Sequence, residues 1–233
     1  MFSIAMHIPD GFLSPGVAAA AGVVAIAAVA HGLRVAGMEL DEARVPLLGV
    51  VAAFIFATQM LNFPVVGGTS GHLLGATLAA VLLGPWLACL VMAVVLVVQC
   101  LAFADGGVSA LGANILNMGV MGALLAGYLV AGARSVLPAT RGAFLGTVAV
   151  VSWLAVMAGA ALTSVELSAS GTIPLDTVLP AMLGVHALIG IGEAVISVAA
   201  VGAVLAARPD LVALAPTELA APRPAAAPAR GVI

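Results

Sequence analysis

The chain has four histidines, at positions 7, 31, 72 and 186, and these are its best candidates for binding a metal. His7 offers the most specific chemistry. Were Met6 the first residue of the mature chain, three nitrogens would converge on one point: the Met6 α-amine, the His7 backbone amide and His7 Nδ1. Amine and amide close one chelate ring, and amide and imidazole close a second. An imidazole from His72 would complete a plane, and planar nitrogen ligation suits Ni²⁺ or Cu²⁺. Binding needs neutral imidazole and displaces protons, so such a site weakens in acid. The run Gly67-Gly68-Thr69-Ser70-Gly71 ahead of His72 permits close backbone approach. Other polar residues have more ordinary readings. His31 and Arg34, one turn apart, suit lipid headgroups or a partner subunit. His186 and Glu193 stand at i and i+7 on one helix face, where an ionisable group inside a membrane is a functional candidate by default; structural hydrogen bonding is the simpler role. Asn114, Asn117 and Gln99 read as polar glue between helices. Cys89 and Cys100 lack metal-type spacing.

The elements that must carry these residues are membrane helices. Of 233 residues, 64% are hydrophobic and only 7% charged, with a mean hydropathy of +1.27; a soluble domain carries roughly 25% charged residues. A water-soluble globule is excluded, and a net charge of −3 argues against a nucleic-acid partner. Taking ~20 apolar residues per crossing, the chain reads as an all-α integral membrane bundle of about seven transmembrane helices. The segments are Gly16–Ala36, Pro46–Leu61, a short His72–Leu83, Trp86–Ala104, Leu111–Ala133, Gly142–Leu167 and Val178–Ala207. Short cytoplasmic loops are enriched in basic residues. Arg34, Arg44, Arg134, Arg141, Arg208, Arg223 and Arg230 fall on alternate connections and the C-terminal end. That places the N-terminus outside and the C-terminus in the cytoplasm, with the carboxylates of Asp10, Asp105, Glu166 and Asp176 facing outward. Residues 1–208 form the membrane domain, and the Pro- and Ala-rich 209–233 reads as a disordered cytoplasmic tail. The first residues lack the basic and apolar regions of a secretory signal. Small residues repeat at i+4 in Gly119, Ala123, Gly127 and Ala131, and in Ala28, Gly32 and Ala36. Such stripes suit close helix packing inside the bundle or docking of another membrane subunit.

Four blocks then resemble a known family. Met6-His7-Ile8-Pro9-Asp10-Gly11-Phe12-Leu13 is similar to the opening of the cobalt and nickel substrate-capture subunits of energy-coupling-factor transporters, the CbiM/NikM family. The likeness continues through Asn62-Phe63-Pro64-Val65-Val66-Gly67-Gly68-Thr69-Ser70-Gly71-His72-Leu73-Leu74-Gly75. It extends to Asp105-Gly106-Gly107 with Gly112-Ala113-Asn114-Ile115-Leu116-Asn117-Met118, and to His186-Ala187-Leu188 with Gly190-Ile191-Gly192-Glu193. The resemblance implies that the amino terminus inserts into the bundle and that Met6, His7 and His72 hold the metal. It implies Co²⁺ or Ni²⁺ as transported ligand, with no resident cofactor. It also implies a transmembrane coupling subunit, cytoplasmic ATPase subunits, often a small accessory membrane subunit, and a place in the cell membrane. Residues 1–5 precede the family's usual starting methionine. With them attached, Met6 nitrogen is an amide, so either Met6 is the true start, or the leader is trimmed, or the site uses fewer ligands; the first is the favoured reading.

Two other functions fit fragments of the sequence. Gly68-Thr69-Ser70-Gly71 spells the G-x-S-G of rhomboid-like intramembrane proteases, with Ser70 as nucleophile and His186 as base. Glu193 could serve as the relay of a proton-coupled carrier. No G-x-x-x-x-G-K-[ST] occurs, and there is no lysine to complete one, so an ATPase site is not expected.

Overall fold

The computed structural model describes residues 7–40, 44–60, 62–65 and 69–220. Helix α1 (Pro15–Glu39) starts where the Ser14 hydroxyl accepts the Val17 N–H and Pro15 takes the first helical position, a place where its missing N–H costs nothing. Helix α2 (Val45–Gln59) follows. Strands β1 (Asn62–Val65) and β2 (Thr69–His72) then pair antiparallel, with Asn62 opposite His72. Helix α3 (Ala76–Leu83) reverses at Gly84 (φ +88) into α4 (Pro85–Phe103). A continuous helix, Leu111–Ala133, follows as α5 (Leu111–Ile115), a π-helical stretch Leu116–Leu124 and α6 (Leu125–Ala133). Two long helices, α7 (Arg141–Ala169) and α8 (Leu175–Ala207), pack against each other along the chain's last pair of crossings. The short α9 (Thr217–Ala220) closes the described region.

Among the described residues, five helices are long and apolar enough to cross a membrane: α1, α4, the continuous α5–α6 helix, α7 and α8. The protein is a multi-pass helical membrane protein. Two of the seven expected segments are shorter than a full crossing. Helix α2 has 15 residues, about 22 Å at 1.5 Å per residue, and α3 has 8, about 12 Å. The expected helix over His72–Leu83 begins only at Ala76, because His72 ends a strand and Gly75 stands at φ +73. The hairpin also departs from a purely α-helical expectation. Every residue of α3 is buried, the mark of a helix enclosed on all sides. It forms the axis of the bundle, with α4, the π stretch and α7 around it.

Several stripe glycines are spent on packing inside the bundle. A Cβ on Gly127 would stand 2.8 Å from Pro85, one on Gly32 3.1 Å from Leu90, and one on Gly119 3.4 Å from Cys89. The C-terminal stretch starts differently from expectation. Pro209–Leu211 is a 3₁₀ turn, Val212, Leu214 and Ala215 are buried, and Leu214 N–H donates to the Val81 carbonyl at 3.0 Å. Val212 and Leu214 supply the apolar surface that an Ala- and Pro-rich tail lacks, so 209–220 belongs to the packed bundle. Residues 221–233 lie outside the described residues.

Candidate metal centre

Residues 7–14 bring His7 into the bundle, and the α4–α5 connection holds them there. Ile8 N–H donates to Asn114 Oδ1 at 3.0 Å, and Asn114 Nδ2 donates back to the Ile8 carbonyl at 3.2 Å. Gly107 N–H reaches the same carbonyl at 2.9 Å. The Asn114 side chain thus treats Ile8 as a strand partner would, rather than gluing helix to helix. Asp10 Oδ1 accepts from the Ser109 hydroxyl at 2.6 Å and its N–H at 2.8 Å, and these bonds hold the Asp10 carboxyl below its usual value. Thr172, in the α7–α8 connection, donates its hydroxyl to the Phe12 carbonyl. Gly106, at φ +94, leaves room for His7: a Cβ there would lie 2.9 Å from His7 Cβ and 3.2 Å from Asn114 Nδ2.

The two histidines singled out by sequence meet. Their ring centroids lie 4.8 Å apart at an interplanar angle of 58°. His7 is 5% exposed, and neither of its ring nitrogens has a hydrogen-bond partner; Nδ1 faces Asp105 Oδ2 at 3.4 Å. His72 Nδ1 lies 2.8 Å from the carbonyl of Leu73. A carbonyl can only accept, so Nδ1 carries the proton and the Nε2 lone pair is left for a ligand. Desolvation, then the neighbouring His7 ring, push the His72 pKa down to about 3. Its imidazole is therefore neutral at physiological pH, the state a metal requires. Among the described residues, no group of three or more His, Cys, Asp or Glu side chains has metal-binding geometry. Two imidazoles would need completion from backbone nitrogen. Met6, which carries the expected amine, lies outside the described residues.

The remaining candidates are placed elsewhere. His31 meets Trp86 with ring centroids 4.3 Å apart and planes tilted by 52°, joining α1 to the start of α4. His186 Nδ1 donates to the Met182 carbonyl at 2.7 Å. Its ring edge lies against Gly71, where a Cβ would come 3.0 Å from Cε1. The Ser70 side chain lies outside the described ones. Glu193 accepts two backbone N–H groups. Gln59 is a participant that sequence reading missed: fully buried at the end of α2, it donates to the Leu74 carbonyl at 2.8 Å. Its one visible signal is an amide side chain closing an otherwise apolar helix.

Comparison with known proteins identifies the family. The profile of the CbiM family, described as the cobalt uptake substrate-specific transmembrane region, matches residues 7–211. A relative from Archaeoglobus fulgidus, provisionally named a fused nickel transport protein NikMN, is 40% identical over 210 residues, 89% of this chain and 68% of its own length. The fused nickel transport protein NikMN of Rhodobacter capsulatus is 35% identical over 228 residues, covering 89% of this chain and 64% of that protein. A crystal structure of a truncated transition metal transporter superposes with a TM-score of 0.77 at 31% identity, covering 87% of this chain and 99% of that one. The chain therefore belongs to the CbiM family of multi-pass, cobalt-uptake substrate-specific membrane proteins.

Proposed function

We propose that this protein is the substrate-capture subunit for Co²⁺ or Ni²⁺ in an energy-coupling-factor transporter. It takes the ion from the outer side of the cell membrane and releases it inward when partner subunits couple it to ATP hydrolysis. The observation that carries the reading is the His7–His72 ring pair at 4.8 Å, with neither ring nitrogen of the buried His7 hydrogen-bonded. Late first-row ions favour imidazole nitrogen. In the proposed site His72 binds through Nε2, and His7 through its amide nitrogen and Nδ1, which exchanges its Asp105 contact for the metal. The Met6 amine is the fourth donor when the mature chain starts there. The outer acidic residues, Asp10 and Asp105 among them, favour the approach of cations.

Calorimetric titration of the purified chain with Ni²⁺ and with Co²⁺ tests the site. His7→Ala and His72→Ala are each expected to cost more than the about 10–100-fold typical of outer-shell substitutions. Unchanged affinity in either variant would overturn the ligand assignment. N-terminal sequencing of the metal-binding protein is expected to begin at Met6; tight planar binding by a chain beginning at Met1 would remove the amine from the set. Uptake into vesicles is expected only with the transmembrane coupling subunit and the ATPase subunits present, and a small accessory membrane subunit is a further expected partner. Uptake by the chain alone would favour a proton-coupled carrier.

A further inference from the structure

Immediately after His72 the chain passes through Leu73-Leu74-Gly75 into the N-terminus of α3, and two successive peptide groups there are each held from both ends. The first joins Leu73 to Leu74. Its carbonyl accepts the His72 Nδ1 proton at 2.8 Å, and its N–H donates to Glu193 Oε2 at 2.8 Å. The second joins Leu74 to Gly75. Its carbonyl accepts from Gln59 Nε2 at 2.8 Å, and its N–H donates to Glu193 Oε1 at 2.6 Å. Glu193, 3% exposed, therefore uses both carboxylate oxygens on adjacent amides more than a hundred residues away in sequence. On the near side of His72, the same face of α8 supplies His186 and Ile189, both in contact with the Gly71 position.

From this chain of bonds we propose that Glu193 is a positioning residue for His72, acting through the Leu73–Leu74 peptide. The inference rests on His72 being a metal ligand. A metal-bound histidine is ordinarily oriented by a carboxylate or carbonyl on its other ring nitrogen. Here the carbonyl is that partner, and the carboxylate stands one peptide behind it. A carboxylate drawing on the N–H polarises the whole peptide, which strengthens its carbonyl as an acceptor. That fixes the tautomer with the proton on Nδ1, aims Nε2 at the metal and raises its donor strength. The same carboxylate meets the partial positive charge at the start of α3, where Gly75 has no side chain with which to cap it. One group thus anchors the buried axial helix and sets the ring beside it.

Glu193→Gln tests this with nearly unchanged shape, because an amide offers one oxygen and turns an N–H₂ toward the second N–H. Ni²⁺ affinity is measured by calorimetry in four proteins: the native chain, Glu193→Gln, His72→Ala and the double variant, with thermal melts as a folding check. Expected is a loss of about 10–100-fold for Glu193→Gln in the native background. Little or no further loss is expected once His72 is gone, since coupled residues are non-additive. Equal losses in both backgrounds, or no loss in the native one, would overturn the proposal. Failure of His72→Ala to weaken binding would instead sink the metal-ligand reading itself. Should Glu193→Gln not fold, Gln59→Leu enters the same cycle. It releases the second peptide and is expected to cost about fivefold, the worth of one neutral hydrogen bond, again only when His72 is present.

Discussion

The two imidazoles are suspended differently. His72 ends a strand and leads into a segment gripped by buried groups: Glu193 on α8 and Gln59 on α2 hold the Leu74 and Gly75 backbone, and the His186 and Ile189 side chains lie against Gly71. His7 hangs from residues 7–14, and two of that segment's anchors, the Asp10–Ser109 pair and the Thr172–Phe12 bond, are solvent-exposed. Its buried grip is the side chain of Asn114 together with the Gly107 N–H, both on the Ile8 backbone. Local opening follows the weakest set of holds, so the leader is the movable half of the pair and the strand the fixed half. If the proposed metal site opens to admit its ion, residues 7–14 are the wall expected to part.

Breaking the leader's buried grip is the largest expected effect. Asn114→Leu removes the two Asn114 bonds to Ile8 and leaves the buried Ile8 N–H without an acceptor, a cost of about 1–3 kcal/mol. Hydrogen exchange at the Ile8 amide is expected to rise and Ni²⁺ affinity to fall about tenfold or more, while exchange at Leu74 and Gly75 stays as in the native chain. If the Leu74 and Gly75 amides open in parallel, the two halves form one cooperative unit and the contrast between them fails.

A matched pair of glycines sharpens the same contrast. Gly106 stands at φ +94 beside His7, and Gly75 at φ +73 beside Ile55, where a Cβ would come within 2.9 Å of Cγ1. Alanine at either position is strained by about 1–3 kcal/mol. Gly106→Ala is expected to weaken metal binding with little change in melting temperature, because it displaces the leader. Gly75→Ala is expected to lower both, because the first turn of the axial helix moves with His72. Equal melting shifts in the two variants would show that the leader is as integral to the bundle as the strand.

Much of this was legible in the sequence because it depended on local signals. The apolar runs give the long helices, and two histidines in recognisable blocks give the imidazole pair that the structure brings together. What stayed hidden depended on tertiary partners. Asn114 looks the same in sequence whether it joins two helices or grips a strand-like leader. Gln59 and Glu193 meet the segment after His72 only because α2 and α8 flank α3. Pro64 disguises β1, since proline sits in strands only where its missing N–H is not needed; a two-stranded hairpin offers such an edge. Leu82 and Val81 expose carbonyls that the 213–214 backbone completes, a pairing that no composition rule for an Ala- and Pro-rich stretch would show.

The smallest expected effect comes from the leader's exposed anchor. Ser109 holds the Asp10 carboxyl below its ordinary value of 3.8 through its hydroxyl and then its amide. A carboxyl whose folded pKa is depressed stabilises the folded arrangement above its ordinary pKa. That contribution is lost as the pH falls through the lowered value. At pH 7 the anchor is therefore fully present, and Asp10→Asn is expected to weaken leader closure by only about twofold, since solvent screens an exposed interaction. The measurement is protection of the Ile8 amide, corrected for intrinsic exchange, in the native and Asp10→Asn chains from pH 7 downward. The two should differ slightly at neutral pH and converge below the lowered Asp10 pKa. Native protection that stays above that of the variant in acid would mean that Ser109 holds the leader by shape rather than by charge. The movable wall would then keep its latch after Asp10 is neutralised.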